Sequence, residues 1–125
     1  MITEGTASNI VYGIMRDFGL PVYQGRHEYS SEDRVVIHSH KQTRSAKWMK
    51  NYLEVNVVVK DEGNMAKTAL LKSYEARMMD KFYADIVGEY EGIPYVVTLE
   101  SMGIEEDTQT GSHFVNCKIL FSALR

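Results

Sequence analysis

The stretch YLEVNVVV, Tyr52 to Val59, decides how the rest of the chain is read. Leu53, Val55, Val57 and Val59 alternate with Tyr52, Glu54, Asn56 and Val58, and side chains of a strand point to opposite faces in turn. The first set makes an apolar face and the second a mostly polar one. A strand buried on both sides would be apolar throughout, so one face of this strand is expected to meet a core and the other to be at least partly wet. That pattern favours an antiparallel sheet covered on one side.

Outward from this strand, the neighbouring segments fall into place by period. Arg34 to Ser39 reads as a strand with Val35 and Ile37 on one face and Val36 and His38 on the other. Toward the C-terminus, Ile93 to Met102 presents Ile93, Tyr95, Val97 and Leu99 on one face, and His113 to Leu124 presents Val115, Cys117, Ile119 and Phe121. Between those two strands GIEEDTQTG is expected to form an acidic hairpin loop bounded by glycines. Polar HKQTRSAKW is expected to be the loop that leads into the central strand.

Two helices complete the reading. From about Thr6 to Phe18, Ile10, Val11, Ile14, Met15 and Phe18 recur at three-and-four spacing, with Thr6 or Ser8 as cap and Gly19 and Pro21 as the stop. Gly13 inside this helix costs roughly 1 kcal/mol relative to alanine, so the helix leans on packing or another backbone passes close by. Pro21 to Gly25 then reads as a short extended piece. After a turn at Asp61, Glu62, Gly63 and Asn64, the spacing predicts a long helix from Met65 to about Val87, with a stripe of Leu71, Tyr74, Met78, Phe82 and Ile86. Leu70, Met79, Tyr83 and Val87 lie off that stripe, and Gly88 and Gly92 bracket the exit. The expected fold is one α+β domain over residues 1–125, with two helices on a mostly antiparallel sheet of about four to five strands in the order α-β-β-β-α-β-β.

Composition excludes several classes of function. The chain has 125 residues, 44% of them hydrophobic and 25% charged, enough apolar material for a core without staples. A net charge of -3 argues against bulk electrostatic attraction to nucleic acid or anionic lipid. The single cysteine, Cys117, permits no internal disulfide, and the first residues show neither a basic start nor an uninterrupted apolar run. A soluble protein of the cytoplasm with no membrane contact is the expectation.

Three side-chain groups carry possible chemistry. His38 and His40 share a strand face and, with His27 and His113, make a metal-dependent small enzyme conceivable, although no carboxylate or thiolate stands at a completing spacing. Cys117 alternates with Val115, Ile119 and Phe121 and is expected to face the core as a small hydrophobe. Lys41, Arg44, Lys47 and Lys50, with Trp48 and Tyr52 among them, would suit a small nucleic-acid-binding module, whereas a solvated loop is the commoner outcome. Glu100, Glu105, Glu106 and Asp107 form the opposite charge, and two oppositely charged loops would complement each other between neighbouring copies meeting head to tail. The expected subunit interface therefore comprises Lys41, Arg44, Lys47, Trp48 and Lys50, the off-stripe residues Leu70, Met79 and Tyr83, and Glu105, Glu106 and Asp107. No phosphate loop, nucleophile elbow or paired zinc ligands occur.

Around KWMKNYLEVNVVVKDEG (47–63), MAKTALLKSYEARMMDKFY (65–83) and SHFVNCKILFSAL (112–124) the chain resembles the tail-completion or tail-terminator proteins of long-tailed phages and prophages. The likeness runs from about Asn9 to Leu124 and is one of element order and pattern. It implies a non-catalytic structural subunit with no cofactor, destined for the virion tail after synthesis in the cytoplasm. It also implies a homo-oligomeric ring, commonly a hexamer, at the head-proximal end of the tail tube. Its partners would be other tail or head-completion proteins, with DNA present only as the contents of the channel.

Overall fold

The computed structural model describes residues 1–25 and 32–125. Its element order is α1 (Glu4–Met15), a 3-10 turn (Arg16–Phe18), β1 (Val22–Gln24), β2 (Arg34–Ser39), β3 (Thr43–Arg44), β4 (Trp48–Lys60), α2 (Thr68–Lys81), β5 (Ile86–Tyr90), β6 (Ile93–Asp107) and β7 (Ser112–Leu124). The strands form one seven-stranded sheet in the order β1-β2-β4-β7-β6-β5, with β3 paired to β4 beyond the end of β2. Only β1 and β2 run parallel; every other pairing is antiparallel. The α+β class with two helices holds; the mostly antiparallel sheet of four to five strands is corrected to a mixed sheet of seven, and the order to α-β-β-β-β-α-β-β-β.

The alternation in β4 works as its residue types dictate. Met49, Leu53, Val55, Val57 and Val59 are buried on the face that meets both helices, and Tyr52 and Lys50 on the other face are exposed. Across the ladder Val55 stands beside Ile37 and Cys117, and Leu53 beside Ile119. From α1 the core receives Ala7, Val11 and Met15, and Phe18 follows from the 3-10 turn; α2 supplies Leu71, Tyr74 and Met78. Each buried large side chain of this kind stabilises the fold by roughly 1.5–3 kcal/mol.

Helix α1 begins earlier than expected, because the Thr3 side chain accepts the Thr6 N–H and so replaces Thr6 or Ser8 as the cap. This earlier start also places Ile2 in the core. Gln42 donates to the Ile2 carbonyl and to Oδ1 of Asn51, a buried polar residue on the helix-facing side of β4, and so ties the N-terminus to the sheet. Gly19 at φ 91° ends the helical segment as read, since a left-handed residue closes a helix at little cost when it is glycine. A Cβ at Gly13 would meet nothing within 4 Å, so packing on the opposite face sustains the helix, and no close backbone does.

Helix α2 is shorter at both ends than its period suggests. An isolated bridge between Glu62 and Met65 occupies the residues expected to open it, and it stops at Lys81, with buried Phe82 as its C-cap. Ile86 and Val87 are therefore strand residues, paired with Val97 and Val96. The cause is the two-residue turn Glu91-Gly92, both at positive φ, which folds β5 back on β6 as a tight hairpin. Gly88 is part of that strand and does not bracket a helix. Its partner Tyr95 lies where a Cβ would stand, 2.3 Å from the phenol oxygen, and the Tyr95 ring stacks on Phe121 at 5.1 Å.

Both expected loops contain strand, the second of them for more than half its length. HKQTRSAKW contains β3 and the start of β4, while in GIEEDTQTG β6 continues to Asp107 and only residues 108–111 turn. An irregularity between Leu99 and Ser101 shifts the register of β6 on β7. Leu99 then stands opposite Ile119 and Met102 opposite Cys117, so both meet the core-facing row despite their odd spacing.

Candidate interaction surfaces

Both helices lie on one face of the sheet, and among the described residues no helix covers the other. Its composition follows from register. At one end Trp48 pairs with Leu124 and Lys50 with Ser122; in the middle Glu54 pairs with Lys118 and Asn56 with Asn116; at the far end Val58 pairs with Phe114 and Lys60 with Ser112. Strongly twisted strands bring distant members of the far end together. Arg34 and Val36 of β2 line one hollow of about 180 Å³ with Asp107 of β6, although β4 and β7 lie between those strands. The sheet is therefore curled, with its uncovered face concave there.

The middle of this face is a polar network. His40 Nε2 lies 2.8 Å from Glu54 Oε2, Asn116 donates to Glu54 Oε1 at 3.1 Å and to Asn56 Oδ1 at 2.8 Å, and the Lys118 ammonium sits 4.7 Å over the Tyr52 ring. The hydrogen bond from His40, and then that from Asn116, holds the Glu54 carboxyl below the usual glutamate range. Sequence spacing could not reveal Glu54 as the carboxylate beside His38 and His40, because it reaches them across a ladder. Even so, no three His, Cys, Asp or Glu side chains among the described residues come together as a metal site. His113 is bound at 2.7 Å to Asp61 on the helix-facing side, and His27 lies outside the described residues. Cys117 is fully buried, and burial pushes its thiol up to about 12, so it sits in the core as a neutral thiol.

Apart from Glu100, which sits mid-ladder at the shift between Leu99 and Ser101, the charged residues singled out by sequence separate to the two ends of the long ladder. Lys41, Arg44, Lys47, Trp48 and Lys50 are exposed at the end where β4 begins; Glu105 and Glu106 are exposed at the end where β6 finishes. Between Trp48 and Lys60 the strand spans roughly 40 Å at about 3.3 Å per residue. Asp107 departs from the expectation of a free acidic loop, being half-buried at the hollow it shares with Arg34. Leu70 departs as well: it is half-buried in the first turn of α2, packs against the core and offers little free surface.

Among the described residues two hollows carry exposed apolar side chains. At the basic end Trp48, Val87, Pro94, Val96 and Leu124, with the edge of Tyr95, line a hollow of about 190 Å³ whose walls are almost entirely apolar. Val87 is 74% exposed and Trp48 41%. Sequence reading missed this surface as a unit, since its members come from four strands. On the helix side Met79 is 46% and Tyr83 86% exposed, and they line a second hollow of about 300 Å³ with Leu99, Glu100 and Met102. A third depression, between Asp17, Phe18, Arg77 and Lys81, is structural: Arg77 donates to the Phe18 carbonyl and lies over its ring, and Lys81 pairs with Asp17.

No protein-family model matches the chain, and neither does any curated protein. Among the solved structures it resembles is one whose name says nothing of function, with a TM-score of 0.55 and 13% identity over 98% of this chain and 91% of the other. At that identity the likeness shows a shared fold alone. No helix among the described residues is long and apolar enough to cross a membrane.

Proposed function

We propose that this chain is a non-catalytic assembly subunit of the tail-terminator type, which self-associates head to tail into a ring at the head-proximal end of a phage tail tube. The observation that carries the reading is the segregation of charge. A basic end and an acidic end at opposite extremities of one rigid ladder repel like ends and attract unlike ones, so copies meet heterologously. Heterologous contacts close into a ring when the rotation between copies permits. Exposed apolar side chains in hollows on two different faces support the same reading, because an assembling subunit leaves exposed the surface it buries on assembly.

Light scattering across concentration and ionic strength tests it, together with electron microscopy of purified tail tubes mixed with the protein. The expected outcome is a closed oligomer that weakens as salt screens the opposed poles and that decorates one end of the tubes. A species that stays monomeric at every concentration and never associates with tail tubes would overturn the proposal.

A further inference from the structure

The two open hollows differ in chemistry in a complementary way. Trp48, the chain's single tryptophan, stands at the basic end between Lys47 and Lys50 and is 41% exposed. The second hollow is lined by Met79, Phe82, Tyr83, Leu99 and Met102 together with the polar Ser101 and the exposed Glu100. Glu75 lies one helical turn before Met79 and adds a second acid on that side. Thioether-lined hollows adapt their shape and make favourable sulfur contacts with aromatic rings. Tryptophan seated in such a site, with charges kept to the rim, is the usual composition of a dominant interface contact.

We propose that the occupant of the Met79–Tyr83–Met102 hollow is Trp48 of a second copy of this chain, with Lys47 and Lys50 of that copy facing Glu100 and Glu75. The inference rests on the self-association proposed above, and it seats the basic end on the helix-side hollow beside Glu100, at mid-ladder, instead of on Glu105 and Glu106. The surfaces are unlike and lie on opposite sides of the sheet, so each copy offers one of each, and the contact propagates from copy to copy. Glu89, paired with Pro94 near the tryptophan hollow, is separated from Lys47 and Lys50 by β6 and β7.

Because the chain has a single tryptophan, its fluorescence reads the contact directly in the full-length protein. On raising the concentration through assembly, the emission is expected to shift to the blue and to lose its accessibility to acrylamide. Trp48→Ala and Met79→Glu, both at exposed positions, are each expected to weaken self-association at least about 30-fold, with far-UV circular dichroism unchanged. Mixing the two variants is the sharper measurement: one retains the hollow and the other the indole, so together they form a 1:1 heterodimer that goes no further. If assembled wild-type protein keeps a fully quenchable Trp48, or if Met79→Glu assembles as the wild type does, this contact is wrong while the ring reading stands. A wild type that never self-associates overturns both.

Discussion

The two faces of β4 carry alternate residues of one strand yet serve different ends. Met49, Leu53, Val55, Val57 and Val59 are sealed against α1, α2 and the neighbouring strands, whereas Trp48, Lys50 and Tyr52, one residue away from them, are open. Folding accounts for every member of the first row. It accounts for none of the exposed members of the second, since a solvated face needs no tryptophan and no apolar hollow. The difference teaches that stability resides on the helix-covered face, and that the composition of the uncovered one answers to something outside the monomer.

Substitutions can break that separation. Leu53→Ala, on the sealed row, should cost about 2–5 kcal/mol in urea unfolding, the largest effect expected; a smaller loss would mean the core relaxes around the cavity. Gly88→Ala comes next, at about 1–3 kcal/mol, because the new methyl must displace Tyr95 from its stack on Phe121. Thermal melts would show it, and an unchanged midpoint would mean that the ring moves freely. Gly13→Ala has the opposite sign. With open space around its Cα, alanine should stabilise α1 by roughly 1 kcal/mol, and a variant more stable as a monomer but poorer at assembly would place that helix face in a contact.

The smallest effect concerns the polar network of the open face. Glu54 titrates below its unfolded value through its bonds from His40 and Asn116, so its contribution is present above the unfolded carboxylate range and is lost as pH falls through the lower, folded value. As the Glu54 side chain is 36% exposed, that contribution is discounted for solvent screening to under about 1 kcal/mol. Glu54→Gln should therefore lower stability at neutral pH by that small amount, leave it unchanged at low pH, and so flatten the acid limb of a stability profile slightly. A steep change at neutral pH would show that the network holds the sheet together.

Much of the architecture was legible as period. The alternation of β2, β4 and β7, the stripe of α1 and the stop at Gly19 all follow from which residues can be buried on a strand or helix. The misreading of β5 has a physical cause: Ile86 falls four residues after Phe82 and continues the helical stripe of α2, while the signal against it, Glu91-Gly92, is a turn whose meaning depends on β6 being there to pair. The added length of β4 and β6 was hidden in polar sequence, since ladder hydrogen bonds join backbone groups whatever the side chains are. The shift between Leu99 and Ser101 has no local signature; it is set by where β7 places its core residues.

The candidate interface was legible by residue type and illegible by place. Lys41, Arg44, Lys47, Lys50, Glu105 and Glu106 were visible as two charge groups, yet only the register of β4, β7 and β6 puts them at opposite ends of one ladder. The sequence by itself determined an α+β chain with one sealed sheet face, because side-chain period is a local property of the backbone. The tertiary structure alone decided that Trp48, Val87, Pro94 and Leu124 share one hollow and that Glu54 meets His40. Those residues are joined only through strand pairing, and pairing depends on the register of the whole sheet.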